Sequence, residues 1–270
     1  MLINGVPRDQ VSISDRGLLY GDGVFRTLRV LGGCIQCWPR HYRKLQQDCV
    51  KLRIICPEAT VLFEELQRLI EQRLDGVAKI IITRGEQSTR GYAPAENVNS
   101  TRILSLAPPS DYPKRNYSHG VRLRLCDLRL SHQPKLAGIK HLNRLENVLA
   151  AAEWSDPDIS EGLLLDIFGN VIEGIRSNLF MVRNGELFTP SLLSCGVSGI
   201  QRERVIEWAA IHGLPCWVRE FGLAELLAAD EVFLVNSVIG LWLVRELSGT
   251  DWSNHPISMQ VQEWLNHTHD

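Results

Sequence analysis

Lys140 follows the apolar stretch Leu136–Ile139 and precedes leucines with helical spacing at Leu142, Leu145 and Leu149. A lysine between the end of an apolar strand and the start of a helix can be partly withdrawn from water, which favours its uncharged amine. That amine is a nucleophile that forms Schiff bases with carbonyl compounds. Composition alone favours a solvated surface lysine, because buried unpaired lysines are rare. The apolar residues that precede Lys140 nevertheless make it the first candidate for a catalytic residue.

An acidic residue and a turn of small residues follow Lys140 along the chain. Glu173 closes the run Gly169–Gly174, and Ser177 and Asn178 come shortly after it. A carboxylate next to a pyridine nitrogen keeps that nitrogen protonated, so that the ring can accept electrons. A lysine, then an acid, then a small-residue turn is the order of residues that a pyridoxal phosphate site requires.

The segment Cys195–Arg202 has the composition of an anion-binding turn. Glycines at 196 and 199 lead into a helix that is predicted to begin at Ile200. The N-terminus of a helix offers backbone N–H groups and a favourable dipole to a phosphate. The pattern alone is weak, because any junction of a loop and a helix looks similar.

With His41–Leu45 added, the set resembles the fold-type IV pyridoxal-phosphate enzymes. These include branched-chain aminotransferases, D-amino-acid aminotransferases and 4-amino-4-deoxychorismate lyases. The run Lys140–Glu146 is close to the sequence that the lyases carry around their Schiff-base lysine, and Tyr20–Phe25 resembles the opening signature of the family. The resemblance implies that Lys140 binds pyridoxal 5'-phosphate and that Glu173 faces its pyridine nitrogen.

The resemblance also implies which residues hold the cofactor phosphate. In the family, the arginine of a His-x-x-Arg-Leu pattern in the first half of the chain binds this phosphate. A Gly-Ile turn and a hydroxyl that follows a later strand also bind it. The predicted cofactor-binding residues are Arg43, Glu173, Ser177, Asn178, Gly199, Ile200, Asn236 and Ser237.

The stretch Thr89–Tyr92 is expected to distinguish among reactions within the family. Lyases of the family carry a similar Arg-Gly-Tyr element near the substrate, and a guanidinium can hold a carboxylate through two hydrogen bonds. Arg90 and Tyr92 are therefore predicted to bind a dicarboxylate substrate, and Thr27 to hydrogen-bond in the substrate site. Arg26 stands where many relatives have glutamate. It either adds a carboxylate anchor or marks a changed substrate.

The resemblance thus implies a lyase that converts 4-amino-4-deoxychorismate to 4-aminobenzoate and pyruvate in folate biosynthesis. A D-amino-acid or branched-chain aminotransferase on the same fold is the alternative, because it would share every cofactor contact. A non-catalytic relative that binds pyridoxal phosphate is a weaker alternative, because such a protein would tend to lose Lys140 or Glu173, and both are present.

The predicted fold class is α+β in two domains. With 270 residues, 44% of them hydrophobic, the chain is long enough for two modest cores. A small N-terminal α/β domain is predicted over residues 1–109, from paired strands at 77–83 and 101–106 and from two helices, of which Pro39 opens the first. A proline-rich stretch places the linker at residues 110–118.

Residues 119–270 are expected to form a larger, mixed, β-barrel-like domain with helices that binds the cofactor. Two hairpins are predicted in it, with turns at residues 168–170 and 184–185.

Charge and composition restrict the partners. The net charge of −2 comes from 29 basic and 31 acidic residues interspersed along the chain, so neither nucleic acid nor a membrane surface is an expected partner. No apolar run approaches the roughly 20 residues that cross a bilayer. A small-molecule substrate, a cytoplasmic location and a homodimer, which is the common assembly of soluble enzymes and of this family, are expected.

The cysteines are expected to be ordinary thiols. Seven of them, an odd number, are scattered along the chain, which fits a reducing compartment. Cys34 and Cys37 have the spacing of a metal or redox pair, but no second pair accompanies them. No metal site is predicted.

Overall fold

A computed structural model describes residues 1–88, 90–95 and 98–268. The chain divides into two compact units, of which the first comprises Met1–Asp111 and Lys140–Asn143. The second comprises Tyr112–Ile139 and residues 144–268. No sequence pattern predicted that four residues around Lys140 would return to the first unit. The expected division into a domain at 1–109, a linker at 110–118 and a domain at 119–270 stays a prediction.

The first unit is built on a six-stranded sheet in the order β2-β1-β6-β5-β3-β4. Neighbouring strands of this sheet pair antiparallel, and the expected pairing of the strands near residues 77–83 and 101–106 is confirmed. The strands are β1 (Leu2–Ile3), β2 (Val6–Pro7), β3 (Gly23–Leu31), β4 (Cys34–Ile35), β5 (Gly76–Thr83) and β6 (Thr101–Ala107).

Alternation along β3 divides its side chains between two environments. Val24, Arg26 and Leu28 are buried, whereas Phe25 and Thr27 between them are only half-buried. Successive side chains of a strand point to opposite faces of the sheet, so these two sets lie on different faces. One face of β3 is therefore core, and the other is available to a site.

Three helices accompany this sheet: α1 (Arg16–Tyr20), α2 (Trp38–Leu52) and α3 (Ala59–Ile70). Pro39 lies in the first turn of α2, where its missing N–H costs nothing. Leu62, Leu66 and Leu69 form the buried stripe of α3. The short helix α1 was not predicted, and its N-terminus is capped by the Asp15 carboxylate.

The second unit contains a mixed sheet of nine strands in the order β12-β11-β10-β13-β14-β7-β8-β9, with β15 added to β14. The pairs β7/β8, β7/β14 and β11/β12 are parallel. The strands are β7 (Val121–Leu130), β8 (Ile159–Asp166), β9 (Val171–Gly174), β10 (Asn178–Arg183), β11 (Glu186–Pro190), β12 (Cys216–Arg219), β13 (Glu231–Asn236), β14 (Gly240–Leu247) and β15 (Thr250–Asp251).

Apolar residues cover both faces of the central strands of this sheet. Leu179 and Leu234 join one buried cluster, and their neighbours Phe180 and Phe233 join another. The two phenylalanine rings stack with centroids 5.1 Å apart. The helices are α4 (Arg115–Ser118), α5 (Leu145–Ala151), α6 (Ile200–Ile211), α7 (Leu223–Leu227) and α8 (Pro256–His267).

The fold class is the one expected, mixed α+β with a curled half-barrel sheet. The predicted hairpins around residues 168–170 and 184–185 are confirmed as β8/β9 and β10/β11. The sequence patterns missed β12 and β14 of the larger sheet. Within the described ranges, no helix is both long and apolar enough to cross a membrane.

Candidate active site

Lys140 lies in a short extended segment that runs antiparallel to the start of β3. The Phe25 N–H donates to the Lys140 carbonyl at 2.9 Å, and the Leu142 N–H donates to the Gly23 carbonyl at 3.0 Å. On the other side, the Lys140 N–H donates to Oδ2 of Asp48 on α2 at 3.1 Å. Both polar main-chain groups of Lys140 are therefore fixed by the first unit.

The side chain of Lys140 reaches the half-buried face of β3. Its Nζ lies 4.7 Å from the centroid of the Phe25 ring, and Nζ of Lys79 lies 5.1 Å from the same centroid. Thr27 and Arg29 share this face with Phe25, because they alternate along β3, and Lys79 pairs with Thr27 across to β5. The structure thus brings Lys140 and Thr27 to one surface. The same face also carries Arg29, which alternation along β3 identifies, and Lys79, which the register of β5 with β3 identifies.

Arg26 occupies the opposite, buried face of β3. Its Nη2 forms a short ion pair with Oδ2 of Asp48, and each side chain is only 3% exposed. The same Oδ2 accepts the main-chain N–H of Lys140. Arg26 was expected to bind substrate, but its guanidinium lies in the core on the face away from Phe25. Its partner there is Asp48.

His41 is buried next to these charges. Burial, and to a smaller extent the positive charges of Arg26 and Lys140, together lower the pKa of His41 to about 3. His41 is 3% exposed. The imidazole is therefore neutral at physiological pH and adds no charge beside Lys140.

Glu173 is held in the second unit by the loop that precedes α6. Its Oε2 accepts the Val197 N–H at 2.8 Å, and Glu173 is 4% exposed. Asn178 donates from Nδ2 to the Val197 carbonyl at 2.8 Å and accepts the Gly199 N–H on Oδ1 at 3.1 Å. Three of the predicted residues, Glu173, Asn178 and Gly199, are thus brought together by main-chain groups of one loop.

Glycines line this loop because side chains would not fit. A Cβ on Gly199 would lie 2.3 Å from Oδ1 of Asn178, and a Cβ on Gly196 would lie 2.7 Å from a Leu192 methyl group. The Gly138 N–H donates to the Gly196 carbonyl at 2.9 Å, and the Ser198 N–H donates to the Gly138 carbonyl at 3.1 Å. The residues just before Lys140 in the chain therefore pair with the loop that also holds Glu173.

The loop ends at the N-terminus of α6. Gly199 is the N-cap residue and provides no side-chain cap. The first N–H groups of a helix have no partner within the helix, so those at the start of α6 are suited to an anion. The prediction that this helix begins at Ile200 is confirmed.

Ser177 and Asn236 have partners within the protein. The Ser177 hydroxyl donates to the buried Glu161 carboxylate at 3.1 Å, and burial raises the pKa of Glu161. Asn236 accepts the N–H groups of Val238 and Ile239 at 2.8 and 2.9 Å, which shapes the turn that contains the half-buried Ser237. Glu161, which no sequence pattern singled out, thus fixes the turn after Glu173.

The residue that matches the arginine of the His-x-x-Arg-Leu pattern is not Arg43, as expected, but its neighbour. In His41-Tyr-Arg-Lys-Leu45 the fourth position of the His-x-x-Arg-Leu pattern is Lys44, and Arg43 is the third. Arg43 is exposed on α2, whereas Lys44 is half-buried. The residue that matches the pattern is therefore Lys44.

Arg90 and Tyr92 lie in the exposed loop after β5, and Thr89 of the same element is outside the described residues. Tyr92 is 86% exposed. The loop main chain is held by Arg16, whose guanidinium donates to the Gly91 carbonyl at 3.2 Å and to the Tyr92 carbonyl at 2.7 Å. The substrate role of Arg90 and Tyr92 stays a prediction.

The chain is similar to known proteins over most of its length. The family described as amino-transferase class IV matches residues 23–247. Aminodeoxychorismate lyase of Vibrio harveyi is 35% identical and matches over 92% of each chain. A putative branched-chain-amino-acid aminotransferase of Methanocaldococcus jannaschii is 30% identical over 92% of this chain and 86% of its own. The crystal structure of 4-amino-4-deoxychorismate lyase from Pseudomonas aeruginosa superposes with a TM-score of 0.94 and 45% identity, and covers 98% of this chain and 97% of its own.

Agreement over nearly the whole length defines the fold as that of the fold-type IV enzymes. Since the family match spans most of the chain, the chain belongs to the amino-transferase class IV family. Of the three relatives above, the two lyases have the higher identities.

The neutral state of His41 predicts a loss of stability at acid pH. The folded pKa of about 3 lies below the ordinary value of 6.5, so between these values the unfolded chain binds more protons. The stabilisation is complete above pH 6.5 and is lost as the pH falls toward 3, at up to about 1.4 kcal/mol per pH unit. His41→Gln should remove this contribution, so its free energy of unfolding in urea should fall less steeply from pH 6.5 to 4.5. The control, exposed His119→Gln, should keep the wild-type slope. Equal slopes for wild type and His41→Gln would contradict a neutral buried His41.

Proposed function

We propose that this protein is a pyridoxal-phosphate-dependent lyase that converts 4-amino-4-deoxychorismate to 4-aminobenzoate and pyruvate, a step in folate biosynthesis. The observation that carries the proposal is the 45% identity, over 98% of the chain, with a solved 4-amino-4-deoxychorismate lyase. The fixed main chain of Lys140 and the loop that holds Glu173 support the proposal, because they position the amine and the carboxylate that such a lyase needs.

The second unit fits the cofactor. The buried Glu173 carboxylate suits a pyridinium nitrogen, and the N-terminus of α6 after Gly199 and Ile200 suits the phosphate. The glycines leave a cradle that a Cβ would fill. When bound, pyridoxal phosphate supplies a protonated ring that accepts the electrons of a broken bond. We assign Ser177, Asn178, Asn236 and Ser237 to the turns that surround it.

Lys44 is the phosphate-binding cation that we propose from the first unit, in place of Arg43. It occupies the position of the family arginine and is half-buried on α2. An ammonium group holds phosphate as a point charge, without the two-pronged geometry of arginine.

Lys140 has two tasks in this proposal. Its amine would hold pyridoxal phosphate through the cofactor aldehyde, and it would be free to move protons once the substrate amine is bound. The released Nζ removes the proton from C4 of the substrate ring, the bond to the enolpyruvyl oxygen breaks, and the ring becomes aromatic. Nζ then returns a proton to the enolpyruvate carbon, which yields pyruvate. The hydrogen bonds at its N–H and its carbonyl fix the main chain from which Nζ extends, which limits the positions that Nζ can take.

Cations on the Lys140 face of β3 suit a substrate with two carboxylates. Lys79 and Arg29 lie on this face, and Thr27 supplies a hydroxyl beside them. We propose that these three residues hold the substrate ring and its carboxylates, together with Arg90 and Tyr92 from the loop that Arg16 anchors. Ion pairs with carboxylates are strongest where water is excluded.

An aminotransferase is the second candidate, because the branched-chain relative is 30% identical. Every cofactor-binding residue named above would serve it equally well. Purified protein incubated with 4-amino-4-deoxychorismate should release 4-aminobenzoate, detected by its fluorescence, and an equal amount of pyruvate. Transfer of the amino group of D-alanine or leucine to 2-oxoglutarate, without any 4-aminobenzoate, would instead establish the aminotransferase.

We further propose a homodimer and a cytoplasmic location. Leu145, Val148 and Leu149 form a stripe on α5 that is 76%, 60% and 61% exposed in the single chain. Their spacing places them on one side of the helix, and an exposed apolar stripe of this kind fits a subunit contact. The seven free cysteines fit a reducing compartment.

The first prediction of this proposal concerns Lys140 and Glu173. Lys140→Ala should abolish release of 4-aminobenzoate, and borohydride treatment of the wild type with bound cofactor should label Lys140 in a peptide map. Glu173→Gln should retain the cofactor and slow turnover by about 10²-fold or more, because a charge that stabilises the ring is lost. Label on another lysine, or near-normal turnover of Glu173→Gln, would overturn the assignment.

The second prediction separates Lys44 from Arg43. Lys44→Gln should weaken binding of pyridoxal 5'-phosphate by roughly tenfold or more, because a phosphate contact is lost. The matched neighbour variant Arg43→Gln should change it less than threefold. Both are measured by titrating the cofactor and following its absorbance. The reverse order of effects would return the role to Arg43.

The third prediction concerns the dimer. The wild type should sediment at about twice the 30.5 kDa chain mass. Leu149→Glu should shift the equilibrium toward monomer, because it places a charge in an apolar contact. The control Met259→Glu, at a site 58% exposed on α8, should remain dimeric. A wild type that is monomeric at micromolar concentration would rule out this assembly.

A further inference from the structure

We propose that Asp48 and Arg26 act as a buried charge pair that positions Lys140 and balances the electrostatic field at its amine. Neither residue touches the substrate face of β3, so both are positioning residues. This inference rests on the proposed role of Lys140 as the reactive amine.

The pair is joined to Lys140 through a single oxygen. Oδ2 of Asp48 accepts the Arg26 guanidinium and, at 3.1 Å, the Lys140 N–H. The Lys140 carbonyl is held separately by the Phe25 N–H. A movement of Asp48 would therefore displace the main chain from which the reactive side chain extends.

Stability alone gives weak reason for such a pair. Burying two charges costs desolvation energy that their attraction often only balances, and apolar residues of equal volume serve as well. Both side chains are 3% exposed. A buried carboxylate attached to the catalytic main chain is thus better explained by an effect on Lys140 than by an effect on folding.

The two charges act on the Lys140 amine in opposite directions. The Asp48 carboxylate favours the ammonium form, and the Arg26 guanidinium favours the neutral amine. With both present, the effects of the two charges on the Lys140 amine oppose each other. Removing either charge alone should leave the other uncompensated in a region of low dielectric constant.

Other titratable groups around the pair are accounted for. His41 on α2 is neutral, because burial lowers its pKa to about 3. Cys49, next to Asp48, stays a thiol, because its hydrogen bond with Cys56 and its burial raise its pKa. Lys79 on β5 is a fixed cation at the Phe25 ring, common to every variant.

His141, which follows Lys140 in the chain, carries an imidazole next to the lysine that is measured. A His141→Gln background therefore removes its signal from the measurement.

The decisive measurement uses the protein without added cofactor. Reductive methylation with ¹³C-formaldehyde gives one NMR signal for each of the six lysines, and Lys140→Arg assigns the signal of Lys140. Asp48→Asn should lower the titration midpoint of Lys140 by about one pH unit, and Arg26→Met should raise it by a similar amount. Shifts of opposite sign are not expected from general loss of structure.

Controls keep the test decisive if a variant unfolds. The double variant of Arg26→Met and Asp48→Asn should return the midpoint to within about 0.3 units of wild type, because the two fields are removed together. Arg26→Lys should keep the wild-type midpoint. Glu65 forms an ion pair with Arg102 of β6, with an N–O distance of 2.7 Å. Breaking this pair by Glu65→Gln should lower the stability of the fold without moving the titration midpoint of Lys140. Single variants that shift the midpoint in the same direction, or not at all, would overturn the proposal.

Turnover gives an independent reading. Each single variant should lower kcat by about tenfold and leave KM within about threefold, because the pair acts on the lysine and not on substrate binding. The pH profile of kcat should move in the same direction as the midpoint. Opposite shifts of the midpoint in a protein with no lyase turnover would refute the proposed reaction and leave the role of the pair intact.

Discussion

The structure around Lys140 depends on one constraint, which is that two elements of the first unit fix the main chain of this residue. In the proposed reaction the Lys140 amine forms and breaks covalent links, so a fixed main chain is a suitable way to position it. The N–H is fixed by Asp48 on α2 and the carbonyl by Phe25 on β3. Helix α2 and strand β3 together therefore fix the main chain of Lys140, in the segment 140–143 that returns to the first unit.

Strand β3 carries this constraint because its two faces are used differently. Arg26 and Leu28 point into the core, and Phe25 and Thr27 point to the face reached by Lys140. Alternation at every second residue separates the buried charge of Arg26 from the face that Lys140 reaches by only one position. In the second unit, the glycine-containing loop before α6 fixes Glu173, since the main-chain N–H of Val197 donates to the buried carboxylate.

Local patterns predicted most of the elements. The proline at the start of α2, the Asn-Gly turn between β10 and β11, and the glycine turn before α6 each act over a few residues, and their elements lie close to the expected positions. Strands β12 and β14 were missed because their place is set by pairing with partners distant in the chain. The excursion of Lys140–Asn143 into the first unit was missed for the same reason.

The sequence by itself determined the candidate amine, the acid and the glycine turn, because Lys140, Glu173 and Gly199 sit in short motifs whose chemistry is local. Tertiary structure decided how the charges are distributed. Arg26 looked like a substrate anchor until its pairing with Asp48, 22 positions away, placed it in the core. Lys79 became part of the site only through its register with Thr27. The direction of a side chain and the partner of a charge depend on long-range contacts, which residue types and spacing do not encode.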